Sequence, residues 1–406
     1  MNSLSKENNR YQLIGKVFLE NDFVECAILI EDERIKKISK IEFNDAKPIR
    51  FGSGYLILPA GIDLHVHFRD WLQSYKETIE SGSKSAIAGG ITTVLDMPNT
   101  NPPINKLELL KKRFEDFKKK SFVDFGLHSK PLDFKEIEEA RIFAFGFKFY
   151  EEDLHSLPDY VSYLKKDRLV FHAQFGQDEV SAVEFVLNCT NECENVRIAH
   201  VSRKESIRLI NRARKQNRRI YIEVTPHHTF LSREDVKNDK AILSVRPPLS
   251  TREDNIAIIQ SINNGDIDFI ATDHAPHSIE EKLSENPPPG YPSLEIVIPI
   301  FLTYALKGIL DIRKIIACFT SNPANYLKIN KGVIKEGYYA DITVVDTNNF
   351  FKIDPTKFIT MAKFSPFTGW EVCCKPVMTI LRGNIVYVNG DFLTNEPNPK
   401  SVFELA

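Results

Sequence analysis

An eightfold alternation constrains this chain more than any other feature. Short β-branched or aromatic runs recur at residues 62–67, 91–97, 122–128, 143–149, 169–173, 196–200, 220–225 and 269–273. Helix-like stretches charged on one face, such as 74–88 and 202–216, separate most of them. Parallel strands need a crossover between them, and a helix supplies it, so this pattern points to βα units. Eight units predict an α/β fold, a (β/α)8 TIM-type barrel, with its chemistry at the C-terminal ends of the strands. A length of 406 residues accommodates such a barrel, of about 250 residues, and something smaller beside it. Strand-like runs at 13–18, 24–30 and 35–38, and again at 340–346 and 377–388, lie outside the alternation. They predict a small β-sandwich-like satellite domain formed by both termini: 1–56 and 338–406 in the β domain, 57–337 in the barrel.

Charge excludes some partners. Lys and Arg number 53 against 55 Asp and Glu, which supports neither a nucleic-acid nor a membrane-surface partner. The basic triplets Lys111-Lys112-Arg113 and Lys118-Lys119-Lys120 read as a solvated helix face. No apolar run approaches the roughly 20 residues that span a bilayer, and residues 1–10 lack the apolar core of a signal peptide, so a cytoplasmic protein is expected. The 6 cysteines show no Cys-x-x-Cys spacing and no disulfide framework. Cys189 and Cys193, four apart on a predicted helix, read as small buried hydrophobes.

The polar residues fall where barrel chemistry belongs. His65 and His67 end the first run and, one residue apart, project to the same side of a strand. Asn99 follows the second run, Lys148 is near the end of the fourth, His172 closes the fifth, His200 the sixth and Asp273 the eighth. Four imidazoles and one carboxylate suit one or two Zn²⁺ ions. With two ions the set lacks a bridge, and Lys148 is the candidate. A buried amine beside metals is deprotonated, and a neutral amine reacts with CO₂ to give a carbamate with an oxygen for each ion. The competing reading is a lysine that reaches out to solvent.

Four segments together resemble the dihydroorotases of the amidohydrolase superfamily: residues 57–69 around His65-Val66-His67-Phe68-Arg69, Met97-Pro98-Asn99-Thr100-Asn101-Pro102-Pro103, Glu223-Val224-Thr225-Pro226-His227-His228, and Ala271-Thr272-Asp273-His274-Ala275-Pro276-His277. The resemblance runs from about residue 13 to 388. Val201-Ser202-Arg203-Lys204-Glu205, Val245-Arg246-Pro247-Pro248-Leu249 and residues 286–292 are most similar to the dihydroorotase domain of the animal multifunctional pyrimidine protein. It implies a binuclear zinc centre, with one ion on His65, His67 and Asp273, the other on His172 and His200, and carboxylated Lys148 as bridge. It also implies the reversible cyclisation of N-carbamoyl-L-aspartate to L-dihydroorotate in pyrimidine synthesis, by a metal-bridging hydroxide with Asp273 as general acid and base. Arg69, Asn99 and His277 are similar to the family's carboxylate-binding set, and Glu223 and His228 are expected to support the ligands from behind. The partners it leaves open are a homodimer and aspartate transcarbamoylase.

Three positions depart from the family pattern. Asp70-Trp71-Leu72 follows Arg69 where Glu-Pro-Gly is usual, Gln174 replaces an acidic residue after His172, and Glu151-Glu152-Asp153-Leu154-His155-Ser156 lacks the Thr-Phe pair of the animal lid. Asp153 keeps an aspartate bridge open in place of Lys148. The rival activities are a dihydropyrimidinase or hydantoinase, against which Arg69 argues because a buried guanidinium without a carboxylate is costly; more remotely, an allantoinase; and a silent scaffold for aspartate transcarbamoylase, which would be expected to lose metal ligands.

Overall fold

The computed structural model describes residues 10–238 and 242–406. The segment inspected for a signal peptide lies, apart from Arg10, outside the described residues. β1 (Arg10–Leu19), β2 (Asp22–Glu31), β3 (Arg34–Ser39), β4 (Lys47–Arg50) and β5 (Tyr55–Pro59) come first. The barrel strands follow: β6 (Gly61–Val66), β7 (Ile91–Asp96), β8 (Asp124–Ser129), β9 (Gly146–Phe149), β10 (Arg168–Phe171), β11 (Asn195–Ile198), β12 (Ile220–Val224) and β13 (Phe269–Ile270). β14 (Ile342–Asp346), β15 (Phe351–Lys352), β16 (Glu371–Val372), β17 (Lys375–Leu381), β18 (Asn384–Val388) and β19 (Asp391–Phe392) complete the chain.

β6 to β13 pair in chain order, every pair parallel. The circle closes where Val66 bridges His274 in parallel and the His67 N–H donates to the His274 carbonyl at 2.9 Å. All residues of β6, β7, β8 and β9 are buried, as a parallel sheet covered on both faces requires. Each of the eight runs read from sequence becomes a strand of this barrel. The last is the shortest, because the chain leaves the ladder after Ile270 and reaches Asp273 in a left-handed conformation (φ 48°).

Strands from both chain ends join in one nine-stranded sheet, in the order β19-β18-β17-β14-β5-β1-β2-β3 with β4 on β1. Its buried face gathers Leu13, Ile28, Ile57, Ile342, Val344 and Ile380. Only Ala60 separates β5 from β6, so one extended segment serves both sheets. A buried ionic cluster fastens them: Lys331 Nζ reaches Asp341 at 3.0 Å, Thr93 at 3.1 Å and Asp124, and Arg382 also pairs with Asp124. The tail returns to the barrel: the Phe125 N–H donates to Lys400 O at 3.0 Å, and Val402 and Leu405 pack with Leu64, Leu95 and Phe269.

The helix Leu107–Lys120 corrects one expectation. Leu110, Arg113 and Phe117 form its buried stripe, so Arg113 is part of the core and not of a solvated face. Among the described residues no helix is long and apolar enough to cross a membrane. All six cysteines are free thiols, five of them buried and Cys189 half-buried.

Candidate active site

His65 lies within β6 and His67 one residue beyond it, and the strand's alternation aims both rings into the barrel mouth, 5.2 Å apart. His65 Nδ1 meets Glu223 Oε1 at 2.6 Å, and His67 Nδ1 meets Asn99 Oδ1 at 2.5 Å. With each Nδ1–H donated to an oxygen, each Nε2 presents a lone pair. Both point at Asp273 Oδ1, 3.3 Å from His65 and 3.0 Å from His67. Three lone-pair donors converging on one point is an arrangement that a cation resolves, and the candidate ligand atoms of these three buried residues all lie within 4.8 Å of one another, close enough to hold one metal ion.

The other three candidates stand opposite. His172 Nδ1 lies 2.9 Å from His200 Nε2, and His172 Nε2–H donates to Gln174 Oε1 at 3.0 Å. Burial holds both rings neutral, pushing His172 down to about 4 and His200 well below the ordinary imidazole value. Lys148 is fully buried in β9, its Nζ without a hydrogen-bond partner among the described residues, and burial pushes the amine down to about 7. It does not snorkel to solvent. An amine so readily deprotonated, unpartnered among the described residues and set among neutral imidazoles, fits a bridging group formed from Lys148. Asp153 is held elsewhere: its carboxylate accepts from the Tyr150 N–H at 3.0 Å and pairs with Lys130 at 3.1 Å.

Glu223 ties the halves together. Besides His65 it accepts from the His200 N–H at 3.3 Å, and its other oxygen lies 3.3 Å from the buried Arg197 guanidinium. His200, like Asp273, is left-handed (φ 40°), a strain that concentrates at sites where geometry is over-determined. His228 is not among these contacts. Its ring is pinned by Thr225 Oγ1 at 2.9 Å and Pro247 O at 3.0 Å, 6.5 Å from the His200 ring, so it braces the loop carrying Pro247 instead of a ligand.

Arg69 faces the same cavity, of about 170 Å³, with His65, His67, Asn99, His172, His200 and Asp273. The segment presenting it is rigidly set. Arg113 donates to Asp96 at 2.8 and 3.0 Å, to Phe68 O at 2.8 Å and to Arg69 O at 3.3 Å, while Asp96 accepts from the Phe68 N–H at 2.9 Å. Gly82 is required beneath, because a β-carbon there would sit 2.5 Å from the Phe68 ring. Asp70 turns away from Arg69 to cap Trp71 and pair with Lys120 at 3.0 Å. Among the described residues Arg69 makes no ion pair. His277 stands behind it, off the cavity wall, with Nε2 3.3 Å from Arg69 Nη2 and 3.0 Å from Pro289 O.

Tyr150 and Arg246, residues without an expected role from sequence, also line the cavity. Arg246 sits exposed at the mouth, a second cation facing the opening. Its position in a Pro-rich loop between the seventh and eighth strands was the available signal. The loop after Lys148 is a 3₁₀ turn, Glu151–Ser156, whose Glu151 and Glu152 form the opposite rim.

The amidohydrolase family profile matches residues 56–141 and 135–386. The chain is 37% identical over 393 residues to a dihydroorotase of Pyrococcus horikoshii, covering 94% of this chain and 93% of that one. It is 34% identical over 409 residues to a dihydroorotase of Bacillus cytotoxicus, covering 91% and 95%. Among solved structures, the L-hydantoinase (dihydropyrimidinase) of Arthrobacter aurescens shares the fold with a TM-score of 0.88 at 24% identity, over 96% of this chain and 99% of that one. The D-hydantoinase of a Thermus species does so with a TM-score of 0.85 at 21% identity, over 97% and 98%. This chain therefore belongs to the amidohydrolase family and groups within it with the dihydroorotases.

Proposed function

We propose that this protein is a dihydroorotase, interconverting N-carbamoyl-L-aspartate and L-dihydroorotate. One observation carries the substrate: Arg69, buried and without an ion pair among the described residues, opens on the same cavity as the His65, His67 and Asp273 cluster. A guanidinium so placed calls for an anionic ligand, and its planar fork matches a carboxylate. The uncharged ring of a hydantoinase substrate would leave it uncompensated. A silent scaffold is disfavoured because the metal-ligating set is intact.

His65, His67 and Asp273 would hold one Zn²⁺, His172 and His200 a second, with a carbamate on Lys148 between them. Bound there, zinc supplies Lewis acidity toward a carbonyl oxygen and lowers the pKa of water toward about 7. The chain's own residues do the rest. Arg69 binds the carboxylate of dihydroorotate and so orients the ring amide toward Asp273. In hydrolysis Asp273 takes the proton from the attacking water and passes it to the ring nitrogen as the carbon–nitrogen bond breaks. In cyclisation it removes a proton from the carbamoyl nitrogen, and water leaves. Glu223 and Asn99 hold the imidazoles of His65 and His67 in the tautomer that presents Nε2.

The test is metal analysis of the purified protein together with turnover of dihydroorotate and dihydrouracil. About two zinc ions per chain and opening of dihydroorotate alone are expected. Opening of dihydrouracil but not dihydroorotate would reassign the protein as a dihydropyrimidinase.

A further inference from the structure

Lys76 belongs to none of the motif segments around the site. It is buried on the loop leading from Asp70 to the helix Ile79–Ala88, and its Nζ pairs with Glu281 Oε1 at 2.8 Å and lies 3.2 Å from His277 Nδ1. Tyr75 OH donates to the same Glu281 oxygen at 2.9 Å, holding the carboxylate on Lys76. An ammonium group only donates, so Nδ1 of His277 must accept, and the ring proton sits on Nε2. There it donates to Pro289 O at 3.0 Å. Burial, with the charges of Arg69 and Lys76, keeps the ring neutral.

The opposite tautomer has a partner in waiting. Glu281 Oε2 stands 3.6 Å from Nδ1, beyond hydrogen-bond distance while Lys76 intervenes. With the proton on Nδ1, Nε2 would become an acceptor 3.3 Å from Arg69 Nη2 and would occupy a guanidinium donor. We propose that Lys76 is a positioning residue: it fixes His277 as the Nε2–H tautomer, so that the imidazole holds Pro289 at the cavity wall and leaves Arg69 free for a carboxylate. The inference rests on the carboxylate role of Arg69 given above. It adds a residue that acts on substrate affinity through two others without touching substrate.

The kinetic test is a cycle of Lys76→Met and His277→Ala, singly and together, in the metal-loaded enzyme. In K76M the KM for dihydroorotate should rise by about tenfold while kcat changes by less than about threefold, the effect of losing one charge-assisted hydrogen bond to bound substrate. In the H277A background, adding K76M should change KM by less than about twofold, because the two residues act as one unit. Lys76→Arg, which keeps a cationic donor, should restore most of the affinity. An equal rise in KM from K76M in both backgrounds would overturn the proposal. A substrate-free measurement separates this inference from the assigned reaction: ¹⁵N spectra of the histidine rings, with His277 assigned by its loss in H277A. Wild type should show a bare Nδ1 and a protonated Nε2, with the proton moving to Nδ1 in K76M. A wild-type His277 protonated on Nδ1 defeats the proposal whether or not K76M folds.

Discussion

The two halves of the active site are built from similar residues and braced differently. In the His65, His67 and Asp273 half, each imidazole is held at Nδ1 by an oxygen, from Glu223 or Asn99, and both Nε2 atoms converge on one carboxylate oxygen. In the His172, His200 and Lys148 half, the brace is a neutral amide from Gln174 on one ring; among the described residues His200 Nδ1 and Lys148 Nζ make no hydrogen bond. The first half is shaped by the protein. The second has fewer braces of its own, and in the proposed reading bound metal and a carbamate on Lys148 would complete it. Preorganised ligands bind a metal more tightly because less order is imposed on binding, so the half containing Asp273 should fill first and empty last.

The largest expected effect comes from breaking Asp273, the group proposed as both ligand and proton carrier. Asp273→Asn should lower kcat by roughly 10³- to 10⁴-fold, measured with dihydroorotate at saturating zinc; a loss under tenfold would move the proton transfer elsewhere. Lys148→Ala attacks the other half. It should cost on the order of 10²-fold or more in kcat and leave the metal content nearer one ion than two per chain. Retention of both ions and of full rate would show that the bridge does not need Lys148.

Smaller changes compare the braces themselves. Glu223→Gln should weaken zinc binding by about 10- to 100-fold, the usual cost of losing a carboxylate behind a ligating histidine, as read by competition with a chelator. Gln174→Ala, which removes only a neutral partner, should cost less than about fivefold in the same assay. If the two variants lose metal equally, the difference between the halves has no energetic meaning. During stepwise chelation of wild type, the first ion should leave faster than the second; simultaneous release would count against unequal halves.

Much of this was legible in the chain. The strand runs are separated by helices at crossover spacing, so the barrel and the strand ends could be placed before any contact was known. The ligand set followed from them, since a His-x-His pair on a strand and single polar residues at other strand ends meet only at a barrel mouth. Arg113 was misread because its triplet looks like surface charge, and only helix phase against Leu110 and Phe117 puts it in the core. His228 and His277 resembled site residues by their motifs, but their rings turn to Pro247 O and Pro289 O, choices made by loops distant in sequence. Lys76 carries no motif, and its role exists only because the helix holding Glu281 and the loop holding His277 fold back onto it.

Residue order alone determined the barrel and the polar residues at its strand ends, because strand periodicity is a local property, and a substrate with a carboxylate followed from the likeness of these motifs to the dihydroorotases. Tertiary structure decided which oxygen braces which imidazole, that Asp153 pairs with Lys130, and that, among the described residues, Lys148 Nζ has no hydrogen-bond partner and Arg69 no ion pair. Those outcomes depend on distances between loops from different βα units, and no single stretch of sequence contains them.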